Sequence, residues 1–145
     1  MDIISDAIGA VTTQLSHLWP KPEASPQLIN GKLSPCPLTP NCVSSECSDW
    51  IHHVDPLPLK GSAEQARVQL KKVINELGGT VQSEQPDYIW STFIVPLFGF
   101  IDDVEFRFYP AGGVIHVRSS ARFGISDLGV NRGRVEQLRK ALTRG

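Results

Sequence analysis

Hydrophobic positions recur along this chain with two different periods. Ile4, Ile8, Val11, Leu15 and Leu18 are spaced by fours and threes, which places them on one face of an amphipathic helix that must end before Pro20. Ala66, Leu70, Val73, Ile74 and Leu77 repeat the helical period. Ser62 and Gln65 form a capping-box pattern ahead of them, and Gly78-Gly79 supplies a stop, so a helix is predicted over about 62–77. Val135, Leu138 and Leu142 predict a last helix over about 131–143. Between those two helices the period falls to two. Strands are predicted near 80–84, 88–95, 103–109 and 114–120, with turns at Gln85-Pro86-Asp87 and Pro110-Ala111-Gly112-Gly113.

The third and fourth strands allow a register to be read. Val104, Phe106 and Phe108 alternate with Asp103, Glu105 and Arg107, so the apolar set faces inward and the charged set faces the other way. If residues 110–113 are the whole loop, Tyr109 pairs with Val114, Phe108 with Ile115, Phe106 with Val117 and Glu105 with Arg118. Asp103 is then diagonal to Arg118 and Arg122. Short connections force neighbouring strands to run antiparallel. The expected fold class is therefore α+β: an antiparallel four-stranded meander with two helices packed on one face, preceded by an extended Pro/Cys-rich segment.

Composition adds boundaries. Eight of the eleven prolines lie between Pro20 and Pro58, a stretch that should contribute little regular structure. The reading is one domain overall, divided into an N-terminal amphipathic helix (1–19), a Pro/Cys-rich extended segment (20–59) and an α+β core (60–145). No apolar run approaches the roughly 20 residues needed to span a bilayer. The first residues carry Asp2 and Asp6 where an export signal needs lysine or arginine, so a cytoplasmic location is expected.

The net charge of −1 argues against a general nucleic-acid binder, but the charge is uneven. From residue 101 onward there are eight Lys or Arg against five Asp or Glu, and seven of the eight are arginine, the side chain suited to bidentate contacts with carboxylate or phosphate. Asn131 reads as an N-cap for the last helix. Arg132 and Arg134 then fall in its first turn, where the helix dipole disfavours positive charge. A compensating anion is called for, either an acid of the chain such as Asp102, Asp103 or Asp127, or a bound ligand near Arg118, Arg122 and Arg132. Self-pairing with the chain's own acids is the slightly favoured alternative.

Cys36, Cys42 and Cys47 lie close together, followed by His52 and His53. The spacing matches none of the paired Cys-x-x-Cys knuckles that hold zinc, so no metal is assigned. A Cys36–Cys42 disulfide would close a short proline-stiffened loop, and two thiols are the alternative in a reducing compartment.

Four separated stretches in fixed order carry a resemblance: Cys36-Pro-x-x-Pro-Asn-Cys-Val-Ser-Ser45, His52 ahead of Pro56, Gly99-Phe-Ile-Asp-Asp-Val-Glu-Phe106, and Arg118-Ser-Ser-Ala-Arg-Phe-Gly-Ile-Ser-Asp-Leu-Gly-Val-Asn-Arg-Gly-Arg134, with Thr39 at one of the unspecified positions. Together they resemble the domain of unknown function 1499 family, from about residue 34 to the C-terminus. The resemblance implies that Cys36, Cys42, His52, Asp102, Asp103, Glu105, Arg118, Arg122, Asp127, Asn131 and Arg132 occupy signature positions, with Cys47 outside the motif. It implies no activity. Two functions follow from the residues. The favoured one is a binding or assembly module that recognises an anionic small molecule or an acidic partner surface through the Arg/Asp cluster, with Asp102, Asp103, Glu105, Arg118, Arg122, Asp127, Asn131 and Arg132 as ligand-binding residues. The other is an enzyme that uses Asp102, Asp103 or Glu105 as acid or base, or Cys42 as a nucleophile near His52. No nucleophile elbow or phosphate loop accompanies either, and nothing calls for a cofactor. The apolar face of the N-terminal helix is expected to dock on the domain's own surface, with docking on a protein partner or at a membrane surface as the alternative.

Overall fold

A computed structural model describes residues 25–95, 99–124 and 129–144. The predicted N-terminal helix and Asp127 lie outside the described residues. The elements are β1 (Cys42–Ser44), β2 (Leu57–Pro58), α1 (Ala63–Glu76), β3 (Thr80–Gln85), β4 (Tyr88–Ile94), β5 (Ile101–Tyr109), β6 (Val114–Ala121) and α2 (Val130–Arg144).

Helix α1 begins where the capping box places it. Gln65 N–H donates to Ser62 Oγ at 3.1 Å, and Ser62 N–H donates to Gln65 Oε1 at 2.9 Å, so two of the helix's orphan donors are satisfied reciprocally. Gly78 ends it at φ +89°, a conformation that a side chain would strain.

The strands β3, β4, β5 and β6 form the expected antiparallel meander. The hairpin register is the one the alternation requires, with Tyr109 opposite Val114, Phe108 opposite Ile115, Phe106 opposite Val117 and Glu105 opposite Arg118. Residues 110–112 form one 3-10 turn, and Gly113 closes it at φ +67°. The Pro/Cys-rich segment adds more than extended chain. Its two short strands, β1 and β2, both pair antiparallel with β6, raising the sheet to six strands in the order β1-β6-β5-β4-β3 with β2 beside β6. Prolines flank these strands or sit at their ends, where no ladder hydrogen bond is lost, so the proline density is compatible with the pairing.

Both helices cover one face of the sheet. Ala66, Leu70, Val73 and Ile74 of α1 and Val135, Leu138 and Leu142 of α2 join Ile89, Phe93, Val104, Phe106, Phe108, Ile115 and Val117 in a single buried cluster, which also takes in Val43, Val54 and Leu57. No helix among the described residues is long and apolar enough to cross a membrane.

Candidate functional site

The face of the sheet turned away from the helices is polar, and it is also buried. Strand alternation and register bring Tyr88 and Trp90 of β4, Asp103, Glu105 and Arg107 of β5, His116 and Arg118 of β6, and Cys42 and Ser44 of β1 to this side. Arg122, just beyond β6, reaches it as well. The segment 33–47 crosses this face and ties itself to it. Glu46 accepts from Arg107 Nε at 2.5 Å and from the backbone N–H of Leu33 at 3.0 Å, while Arg118 Nη2 donates to the carbonyl of Pro35 at 3.2 Å. Ser45 Oγ accepts from Val117 N–H and lies 2.9 Å from His116 Nδ1.

Under this strap the acids and arginines pair one to one. Glu105, only 1% exposed, accepts from Arg118 Nη1 at 3.1 Å and from Tyr88 Oη at 2.8 Å. Burial raises the Glu105 carboxyl above the usual glutamate range, with the Arg118 charge and the Tyr88 bond opposing it. Burial and the neighbouring Glu105 together push the Tyr88 phenol up as well. Asp103 receives Arg122 Nε and Nη2 at 2.8 and 2.9 Å and Trp90 Nε1 at 2.8 Å. Arg118 Nε is buried with no acceptor among the described residues.

The remaining sequence-predicted residues belong elsewhere. Asp102 points to the helix side of the sheet, where it pairs with Arg134, whose guanidinium also lies over the Phe93 ring, 4.9 Å from its centroid. Helix α2 starts at Val130, so Asn131 lies inside its first turn rather than at the N-cap. Its amide turns inward because it finds partners there: it accepts from Ser119 Oγ and donates from Nδ2 to the carbonyl of Asn41 at 3.3 Å, fully buried. Arg132 does not join Arg118 and Arg122. It donates to the carbonyls of His53 and Ile51 at 2.8 and 2.9 Å. Arg134, now just past the first turn, and Arg132 within it thus find compensation in Asp102 and in carbonyl dipoles respectively.

The cysteine loop is closed. Cys36 and Cys42 form a disulfide with Cα atoms 5.7 Å apart, and Cys47 is free. His52 is buried and joins this loop to the following turn, with Nδ1 2.6 Å from Asp49 Oδ2 and Nε2 3.0 Å from the carbonyl of Thr39. Loop 36–42 and turn 49–53 are therefore braced against each other, and Arg132 holds the turn from α2. On these braced loops three apolar side chains remain in water: Leu38 at 97%, Trp50 at 86% and Ile51 at 43% exposure. No group of three His, Cys, Asp or Glu among the described residues is arranged to hold a metal ion. Removing the disulfide with Cys36→Ser should cost about 2 kcal/mol, the loop-closure value for so short a loop, read as a shift in urea midpoint. An unchanged midpoint would mean that His52 alone holds the loop.

Sequence reasoning did not find Tyr88, Trp90, Glu46 or Arg107 as partners, nor the exposed loop residues, but Asp102 was among the acids it offered for Arg134. A Trp in a polar, proline-rich stretch was the available signal for Trp50. The chain belongs to the family described as protein of unknown function DUF1499, whose sequence profile matches residues 32–142. No curated protein and no solved structure matches the chain.

Proposed function

We propose that this chain is a binding or assembly module, that its docking feature is the braced loop pair 36–42 and 49–53, and that it takes an acidic protein segment with an apolar anchor. The observation that carries this reading is the exposure of Leu38 and Trp50 on loops fixed by a disulfide, by His52 and by Arg132. A braced loop has already lost the backbone freedom that binding would otherwise take from it, and tryptophan is among the residue types that dominate binding energy.

The choice of an acidic partner rests on Arg132. Among the described residues it meets the carbonyl oxygens of His53 and Ile51 and no carboxylate, so its charge there is offset by carbonyl dipoles alone, on the turn that carries Trp50 and Ile51. Arg118 and Arg122 support anion recognition less well, because each already holds a carboxylate of this chain. The enzyme alternative draws little support. Cys42 is buried in a disulfide, both ring nitrogens of His52 are engaged, and Glu105 is out of reach of solvent.

Selection from a displayed library of random 12-residue peptides tests the proposal. Enriched peptides should combine an aromatic or aliphatic residue with Asp or Glu. Their affinity should fall about thirtyfold or more for Trp50→Ala, the loss expected of a binding hot spot, with melting temperature unchanged. Binders indifferent to Trp50→Ala, or no enrichment at all, would overturn it.

A further inference from the structure

We infer that the three cysteines form an intramolecular thiol–disulfide exchange site, in which Cys47 attacks the Cys36–Cys42 bond and the disulfide moves to Cys36–Cys47. This goes beyond the docking proposal and does not depend on what the loops bind.

The first observation is a shared cleft. Cys36 and Cys47 both line an open cleft of about 530 Å³ between the segments 29–36 and 44–49. Ser44 and Pro35, which flank the disulfide along the chain, line it too. The second observation is the path of the backbone. Cys42 and Ser44 are two residues apart on β1 and so point to the same side, about 6.6 Å apart at the rise of a strand. The chain then turns back on itself, with Cys47 N–H donating to the Ser44 carbonyl at 3.3 Å and His53 Nδ1 2.7 Å from the Cys47 carbonyl. Cys47 is held through both its backbone N–H and its carbonyl, beside the strand that carries half of the disulfide.

Accessibility sets the direction of attack. Cys42 is fully buried, whereas Cys36 and Cys47 are half-buried. The reachable sulfur of the bond is that of Cys36. The Cys47 thiol gives its proton to water, and its thiolate forms a bond to Cys36 Sγ. The Cys36–Cys42 bond breaks, its electron pair stays on Cys42 Sγ, and that sulfur takes up a proton. One disulfide and one thiol enter, and one disulfide and one thiol leave, so the step needs neither oxidant nor reductant.

Differential alkylation of the wild-type chain tests this. The protein is held at pH 8 for several hours, the timescale of uncatalysed disulfide rearrangement, then unfolded in urea at mildly acid pH with excess N-ethylmaleimide so that buried thiols are labelled too, reduced and labelled with iodoacetamide. Fragment-ion mass spectrometry should find N-ethylmaleimide on Cys42 as well as on Cys47, and no N-ethylmaleimide on Cys42 in Cys47→Ser. In Cys42→Ser supplied with oxidised glutathione, Cys36 and Cys47 should join. Label confined to Cys47 in the wild type, or glutathione left on Cys36 and Cys47 separately in Cys42→Ser, would overturn the inference.

Discussion

Arg118→Ala is expected to lose about 3–5 kcal/mol of unfolding free energy at neutral pH, the cost of leaving one member of a buried ion pair without its partner. Both conditions for that magnitude are met. Glu105 is 1% exposed and the Arg118 side chain 13%, because segment 33–47 closes over the face that strand alternation alone would leave open. On a solvated face the same substitution would cost below about 1 kcal/mol. The loss should also depend on pH with a definite sign. Burial already raises the Glu105 carboxyl in the folded state, and the Arg118 charge is among the effects holding it down. A carboxyl raised on folding contributes stability at pH values below its unfolded titration, and that contribution is lost as pH rises through the folded one. Without Arg118 the folded carboxyl rises further, so the variant should approach wild type in acid and fall away from it toward neutrality. Urea melts from the carboxylate range to pH 8 check both parts. A loss under about 1 kcal/mol, or one that does not vary with pH, would mean that the pair is screened by water.

The difference between the open and the covered face marks how far the sequence could be read. The β5–β6 register was legible because a four-residue loop between two alternating strands leaves one pairing in which the apolar sets coincide. The β4–β5 register was not, since the longer connection between Ile94 and Ile101 fixes no pairing. Trp90 therefore could not be placed opposite Glu105, nor its indole on Asp103. The shift between Val81 and Ser83 on β3 likewise has no sequence mark, as no glycine announces it.

The arginines show a second limit. Their number after residue 100 was plain, but the partner of each depends on which sheet face it occupies. Asp102 and Asp103 are adjacent in sequence and on opposite faces, so they take Arg134 and Arg122 respectively. Asn131 has the chemistry of an N-cap, and local preference alone would leave it there. Tertiary contacts won, because the buried Ser119 hydroxyl needs a partner and Asn131 supplies it, while Asn131 Nδ2 shares the Asn41 carbonyl with the Ala121 N–H. The exposed loop residues were least legible of all, since exposure follows from what the rest of the chain fails to cover.

Phe106→Ala is expected to cost about 3–5 kcal/mol, the range for truncating a buried aromatic ring. The ring is fully buried in the cluster shared by both helices, and its strand neighbours in register are Ile89 and Val117. How much such a site recovers depends on whether its walls can collapse into the space. Here the adjacent residue on the same strand is Glu105, held from the other face by Tyr88 and Arg118. That attachment keeps β5 from moving toward the helices, so the cavity should remain and the cost should lie in the upper part of the range. Leu38→Ala, at a side chain 97% exposed on loop 36–42, should change stability by about 0.5 kcal/mol or less. Urea melts of the two variants with a common m value give the comparison. A Phe106→Ala loss under about 1.5 kcal/mol would show that the strand relaxes into the core, and that the polar face does not hold it.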